Sequence, residues 1–155
     1  MTTRAESFDD PLNPNRSFSL VTADHWSDVT NGLPLTANAF VCLLAWDATE
    51  RTHEEVYKVA ECVLHAGARF ICTWGTDCER VHDLIDDAVI GQEGGDIDPI
   101  WTTWHDDETL EETIDFVLTT ISPAERFTAA EQNVVAVTIA SRQYSETIRN
   151  TFRSG

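Results

Sequence analysis

The sequence predicts a three-layer α/β domain, Rossmann-like or flavodoxin-like, on a mostly parallel sheet of four to five strands. Three observations predict it. Short apolar runs recur near residues 40, 70, 100 and 134. Each run is followed by a stretch whose apolar residues recur at helical spacing. Hydrophobic residues make up 42% of the 155-residue chain, a globular composition, and no apolar run approaches the ~20 residues of a membrane span.

Taken in order, residues 1–16 hold Asp9, Asp10, Pro11, Asn13, Pro14 and Asn15, and read as a flexible leader to a single domain at 17–155. Residues 17–22 alternate weakly, with Phe18 and Leu20 on one side, as in an edge strand. Asn31-Gly32 and Pro34 mark turns between residues 24 and 38. Phe40 to Trp46 is uninterruptedly apolar, the pattern of a strand covered on both faces. Thr52-His53-Glu54-Glu55 is a capping box, in which the hydroxyl and the carboxylate each satisfy an orphan amide. Val56, Val59, Ala60 and Val63 then form a helical stripe, and Gly67 is a natural left-handed stop.

Arg69 to Thr73 reads as the next strand, and Asp77 as the cap of a helix with Val81, Leu84, Ile85 and Ala88 on one face. Residues 91–99 are rich in glycine and acids and read as a loop. Ile100 to Trp104 predicts another strand. Asp106 or Asp107 is the expected cap for a helix bearing Leu110, Ile114, Val117 and Ile121, ended by Ser122-Pro123. A polar connection with one helical turn near Ala129 leads to a β-branched strand at 134–140. The last helix takes its apolar contacts from Tyr144 and Ile148.

The charge narrows the functional classes. Twenty-seven acidic and ten basic residues leave a formal charge of −17. Direct nucleic-acid binding needs basic surface that displaces counterions, and anionic membranes repel such a chain. A basic protein partner or a small ligand fits better, and acidic mimicry of nucleic acid is a further reading. Residues 1–15 lack the apolar core of a secretory signal, so a cytoplasmic location is expected. Cys42, Cys62, Cys72 and Cys78 form no Cys-x-x-Cys pair and read as reduced core thiols. The last helix carries Arg142, Arg149 and Arg153, which complement its dipole and nearby acids or meet an acidic face of a partner copy.

In open α/β sheets, ligands bind beyond the carboxyl ends of the strands. Three predicted strands end in Trp followed closely by Asp: Trp46-Asp47, Trp74-Gly75-Thr76-Asp77 and Trp104-His105-Asp106. The fourth ends at Ser141-Arg142. The plain structural reading makes the aspartates helix caps and the indoles lids on the core. The functional reading is an aromatic, acidic rim of Trp46, Asp47, Trp74, Asp77, Trp104, Ser141 and Arg142 that holds a cationic group or a flat ring.

An enzymatic reading uses the same rim. Cys78 stands at an expected helix start, where a thiol pKa falls, with His105 and Asp106 as base and orienting group. The flanking Asp77 and Glu79 oppose a thiolate. Asp47, Asp77, Asp106 and Asp107 offer oxygen ligands to a Mg²⁺ ion, although no spacing specific to a metal is present. Neither a Gly-x-Gly-x-x-Gly nor a P-loop motif occurs, and no motif names a cofactor. The best expectation is a non-catalytic binding or regulatory module. The alternative is a small hydrolase or transferase working through Cys78 with His105, or through a carboxylate-held metal.

Overall fold

The computed structural model describes residues 3–10, 16–31, 33, 39–91, 100–121 and 132–154. Among them, six strands form one sheet: β1 (Thr3–Asp9), β2 (Ser17–Ala23), β3 (Phe40–Trp46), β4 (Ala68–Trp74), β5 (Trp101–Trp104) and β6 (Val134–Ile139). Their spatial order is β1-β2-β6-β3-β4-β5, and only β1 runs antiparallel to its neighbour. The helices are α1 (Trp26–Thr30), α2 (His53–Ala66), α3 (Cys78–Gly91), α4 (Leu110–Phe116) and α5 (Arg142–Ser154). A π turn at Val117–Ile121 extends α4.

The sheet is mostly parallel and carries helices on both faces. One face packs Val21, Cys42, Leu44, Ile71 and Val137 against α1, α2 and α3. The other packs Leu20, Leu43, Cys72 and Ala136 against Ile114 of α4 and Ile148 and Phe152 of α5. β3 and β6 are buried at every position, because both faces are covered. Rossmann and flavodoxin sheets place the last strand at an edge. Here β6, the last strand, is inserted between β2 and β3.

The strand count exceeds the expected four to five because β1 lies in the stretch assigned to a leader. Its residues are all exposed or half-buried, so its apolar signal is weak. It pairs with β2 from Thr3 opposite Ala23 to Asp9 opposite Ser17, which makes β1, and not β2, the edge. Asp10 is buried after it and receives a 2.7 Å hydrogen bond from Arg16 Nε. Arg16 Nη1 donates to the carbonyl of Leu118, in the π turn where the ordinary helical ladder is broken.

Several local signals hold. Thr52 accepts from Glu55 N while Glu55 accepts from Thr52 N, and Gly67 closes α2 in the left-handed region at φ 116°. Others differ. Asp77 does not adopt the extended conformation of a cap; it is left-handed, with φ 71°, and its carboxylate accepts from Arg80 Nε at 2.7 Å. Neither Asp106 nor Asp107 caps α4. Thr109 does so, in a second capping box with Glu112. The segment read as turns contains α1, capped by His25. The expected glycine-rich loop and the helical turn near Ala129 fall outside the described residues.

The direction of each crossover positions the functional rim. α1, α2 and α3 follow β2, β3 and β4 on one face. α4 and α5 follow β5 and β6 on the other. A right-handed return from β5 to β6 places α4 on that second face, and α5, which follows the last strand, packs beside it. Adjacent strands then send their connections to opposite faces at three places: β2/β6, β6/β3 and β4/β5. Such reversals open crevices beyond the strand ends.

Candidate functional site

A cleft lies at each of the three reversals. The first, about 540 Å³, opens at the ends of β2, β3 and β6. His25, Trp26, Trp46, Asp47, Glu50 and Arg51 line it. The second, about 630 Å³, lies between the end of β2 and the start of α5. The third, about 280 Å³, sits at the ends of β4 and β5 between Trp74, Asp77, His105, Asp106, Glu108 and Tyr144.

The expected rim residues are thereby divided. Trp46 and Asp47 belong to the first cleft, Ser141 and Arg142 to the second, and Trp74, Asp77, His105 and Asp106 to the third. Trp104 lines none of these clefts. It is 43% exposed at the outer strand and packs against His82 of α3 with the rings tilted and their centroids 4.6 Å apart. Register separates the three indoles. Ala45 lies opposite Trp74, so Trp46 and Trp74 project to opposite faces; Thr73 lies opposite Trp104.

In the first cleft, Trp46 is buried and Trp26 half-buried, and His25 leans on Trp26 with ring centroids 5.4 Å apart. Asp47 is exposed, and its Oδ1 accepts from both the amide and the hydroxyl of Thr49, which holds the carboxylate at the lip. Arg80 reaches from α3 to donate to the carbonyls of Ala48 and Arg51, at 2.7 and 2.9 Å, and so fixes the floor loop. His25 and Trp26 were not among the expected site residues. The helix that begins at Trp26, with His25 as its cap, spans five residues, too few to show apolar periodicity.

The third cleft tests the proposed catalytic group. Cys78 is 2% exposed. Burial pushes its thiol pKa up against the pull of nearby backbone amides, including that of His105. The His105 ring is turned elsewhere: Nε2 lies 2.8 Å from Thr103 Oγ1 and Nδ1 lies 3.1 Å from Glu108 Oε1. The thiol and imidazole therefore do not form a nucleophile–base pair. Iodoacetamide at pH 8 is expected to alkylate native Cys78 more slowly than the unfolded chain's thiols, as followed by peptide mass spectrometry. Faster alkylation would mark an activated thiolate. The alternative metal set is also dispersed, with Asp47 bonded to Thr49 and Asp77 to Arg80. Among the described residues no group of three or more His, Cys, Asp or Glu side chains is placed to hold a metal ion.

Among the described residues no helix is long and apolar enough to cross a membrane. No curated protein and no solved structure matches the chain at a significant level. Residues 17–154 match the model of a family described as a domain of unknown function, DUF7684; this span takes in every strand but β1, and the chain belongs to that family.

Proposed function

We propose that this chain is a non-catalytic binding module whose first cleft takes a small ligand with a flat, cationic ring. The observation that carries the reading is one opening at a sheet reversal lined by the half-buried Trp26, by part of the buried Trp46 and by the carboxylates of Asp47 and Glu50. Its volume suits a small organic molecule. Indole faces attract cations and stack on flat rings, and nearby carboxylates add charge attraction. The net charge of −17 favours the approach of a cation over long range. Arg51 also lines the opening, but its guanidinium lies 3.8 Å from Glu55, which offsets its charge.

The reading is tested with 1-methylnicotinamide, a flat cation, and nicotinamide, its neutral counterpart, by tryptophan fluorescence and calorimetry. Saturable binding of the cation is expected, with the neutral ring weaker. Trp26→Ala should weaken it about tenfold, in line with a desolvated cation–π contact. Asp47→Asn should weaken it less and remove much of its salt dependence. Equal affinity for the two rings, or an unchanged affinity in Trp26→Ala, would contradict the reading.

A further inference from the structure

We propose that the sheet edge at β5 is a docking edge for an extended, basic segment of a partner protein, which adds to it as a further strand. The proposal is independent of the cation reading, because it uses none of the residues of the first cleft.

The backbone of this edge is open to pairing. β5 is the last strand of the sheet and pairs only with β4. His105 N donates to the Thr73 carbonyl at 3.1 Å. Residues of a parallel strand alternate in the side to which they bond. Thr103 and His105 therefore turn to β4, and the amides and carbonyls of Thr102 and Trp104 point outward. Among the described residues no other backbone group pairs with them. Natural edges are shielded by short length, charge, proline or a bulge. β5 is short, but Trp101-Thr102-Thr103-Trp104 contains no charge and no proline, and its register with β4 is unbroken.

The exposed large apolar side chains gather at the same edge. Among the described residues these are Ile90, Trp101 and Trp104, at 66, 48 and 43% exposure. Trp104 and Thr102 share the α3 side of the sheet, where His82 packs against the indole and Asp86 accepts from the Thr102 hydroxyl. Ile90 stands on the same row of α3 as His82 and Asp86, one turn further on. Strand alternation sends Trp101 to the other side. The two indoles thus bracket the edge, one on each face. An exposed apolar patch of this kind marks an interaction surface.

Charge selects the occupant. Residues 81–121, which span most of α3 and all of β5 and α4, hold twelve acids and no lysine or arginine. Asp83 and Asp87 are exposed on α3, and Asp106 and Asp107 are exposed just past the end of β5. A second copy at this edge would set these acids against its own, which disfavours edge-to-edge pairing of the chain with itself. A strand of alternating apolar and basic residues fits both features. Its main chain bonds Thr102 and Trp104, its apolar side chains and lysine stems cover the indoles, and its charges meet the acids.

The test uses the full chain and a capped octapeptide of alternating valine and lysine, followed by NMR shifts and amide hydrogen exchange. Saturable binding is expected, with exchange at the Thr102 and Trp104 amides slowed about tenfold. The same peptide with glutamate for lysine, or with methylated backbone nitrogens, should not bind. Trp101→Ala should weaken binding about tenfold, as an anchor at the centre of an interface does. The double variant Asp83→Asn/Asp87→Asn changes only exposed carboxylates, and should weaken binding and flatten its salt dependence. No saturable binding, shifts centred away from β5, or equal binding of the methylated peptide would overturn the docking edge. Binding unchanged in both variants would do the same. A free chain that sediments as a dimer with Thr102 and Trp104 already protected would give the edge to a second copy, against the proposal.

Discussion

Gly75→Ala is expected to lose about 3 kcal/mol of stability and roughly 10 °C in Tm, measured by thermal and urea unfolding. Gly75 follows β4 with φ 124°, a conformation that side chains disfavour. A Cβ there would lie 2.3 Å from the carbonyl oxygen of Trp46 and 2.8 Å from its carbonyl carbon. Both are backbone atoms of a buried strand that has partners on either side, so neither moves cheaply. The change pushes β3 and β4 apart at the rim, where Trp46 begins the first cleft. Ligand affinity in that cleft should fall with it. A variant as stable as the parent would show that the two strand ends are not in close contact.

Asp10→Ala carries the second large effect. Asp10 and Arg16 have side chains 3% and 12% exposed and pair at 2.7 Å. Removing one partner of a buried ion pair is expected to cost about 3 kcal/mol. Arg16 also lies over the Phe18 ring, 4.9 Å from its centroid, so it cannot swing to solvent without uncovering that ring. The double variant Asp10→Ala/Arg16→Met should recover much of the loss, because the buried pair is then replaced as a whole by apolar groups. A change below about 0.5 kcal/mol in Asp10→Ala would instead place β1 outside the cooperative unit.

The legible parts of the fold were those written in local chemistry. The Thr52–Glu55 box, the stop at Gly67 and the apolar run of β3 are each specified within a few residues. β1 was not legible, because an exposed edge strand needs no apolar stripe and its partner supplies the order. Asp106 and Asp107 resembled caps by composition, but Thr109 carries the reciprocal Glu three residues on. Asp77 likewise gave way to the left-handed turn that aims it at Arg80.

The rim was legible as a place and not as a set of neighbours. Trp46, Trp74 and Trp104 look equivalent in sequence, since each ends a strand before an aspartate. Register assigns them to faces, and register is a property of paired strands, not of one strand alone. The offset of one position between Trp46 and Trp74 sends one indole to the first cleft and the other to the third. The insertion of β6 between β2 and β3 is equally non-local. It brings His25 and Trp26 beside Trp46 and Asp47, a meeting that no spacing along the chain announces.

The central claim is that reversed crossovers around β6 build a ligand cleft from the ends of β2, β3 and β6. The most direct measurement is an amide shift map of the full chain titrated with 1-methylnicotinamide. Saturable changes confined to residues 25–26, 46–51 and 139–140 are predicted. Saturable changes centred instead on α3 and β5, or none at any of these positions, would contradict it.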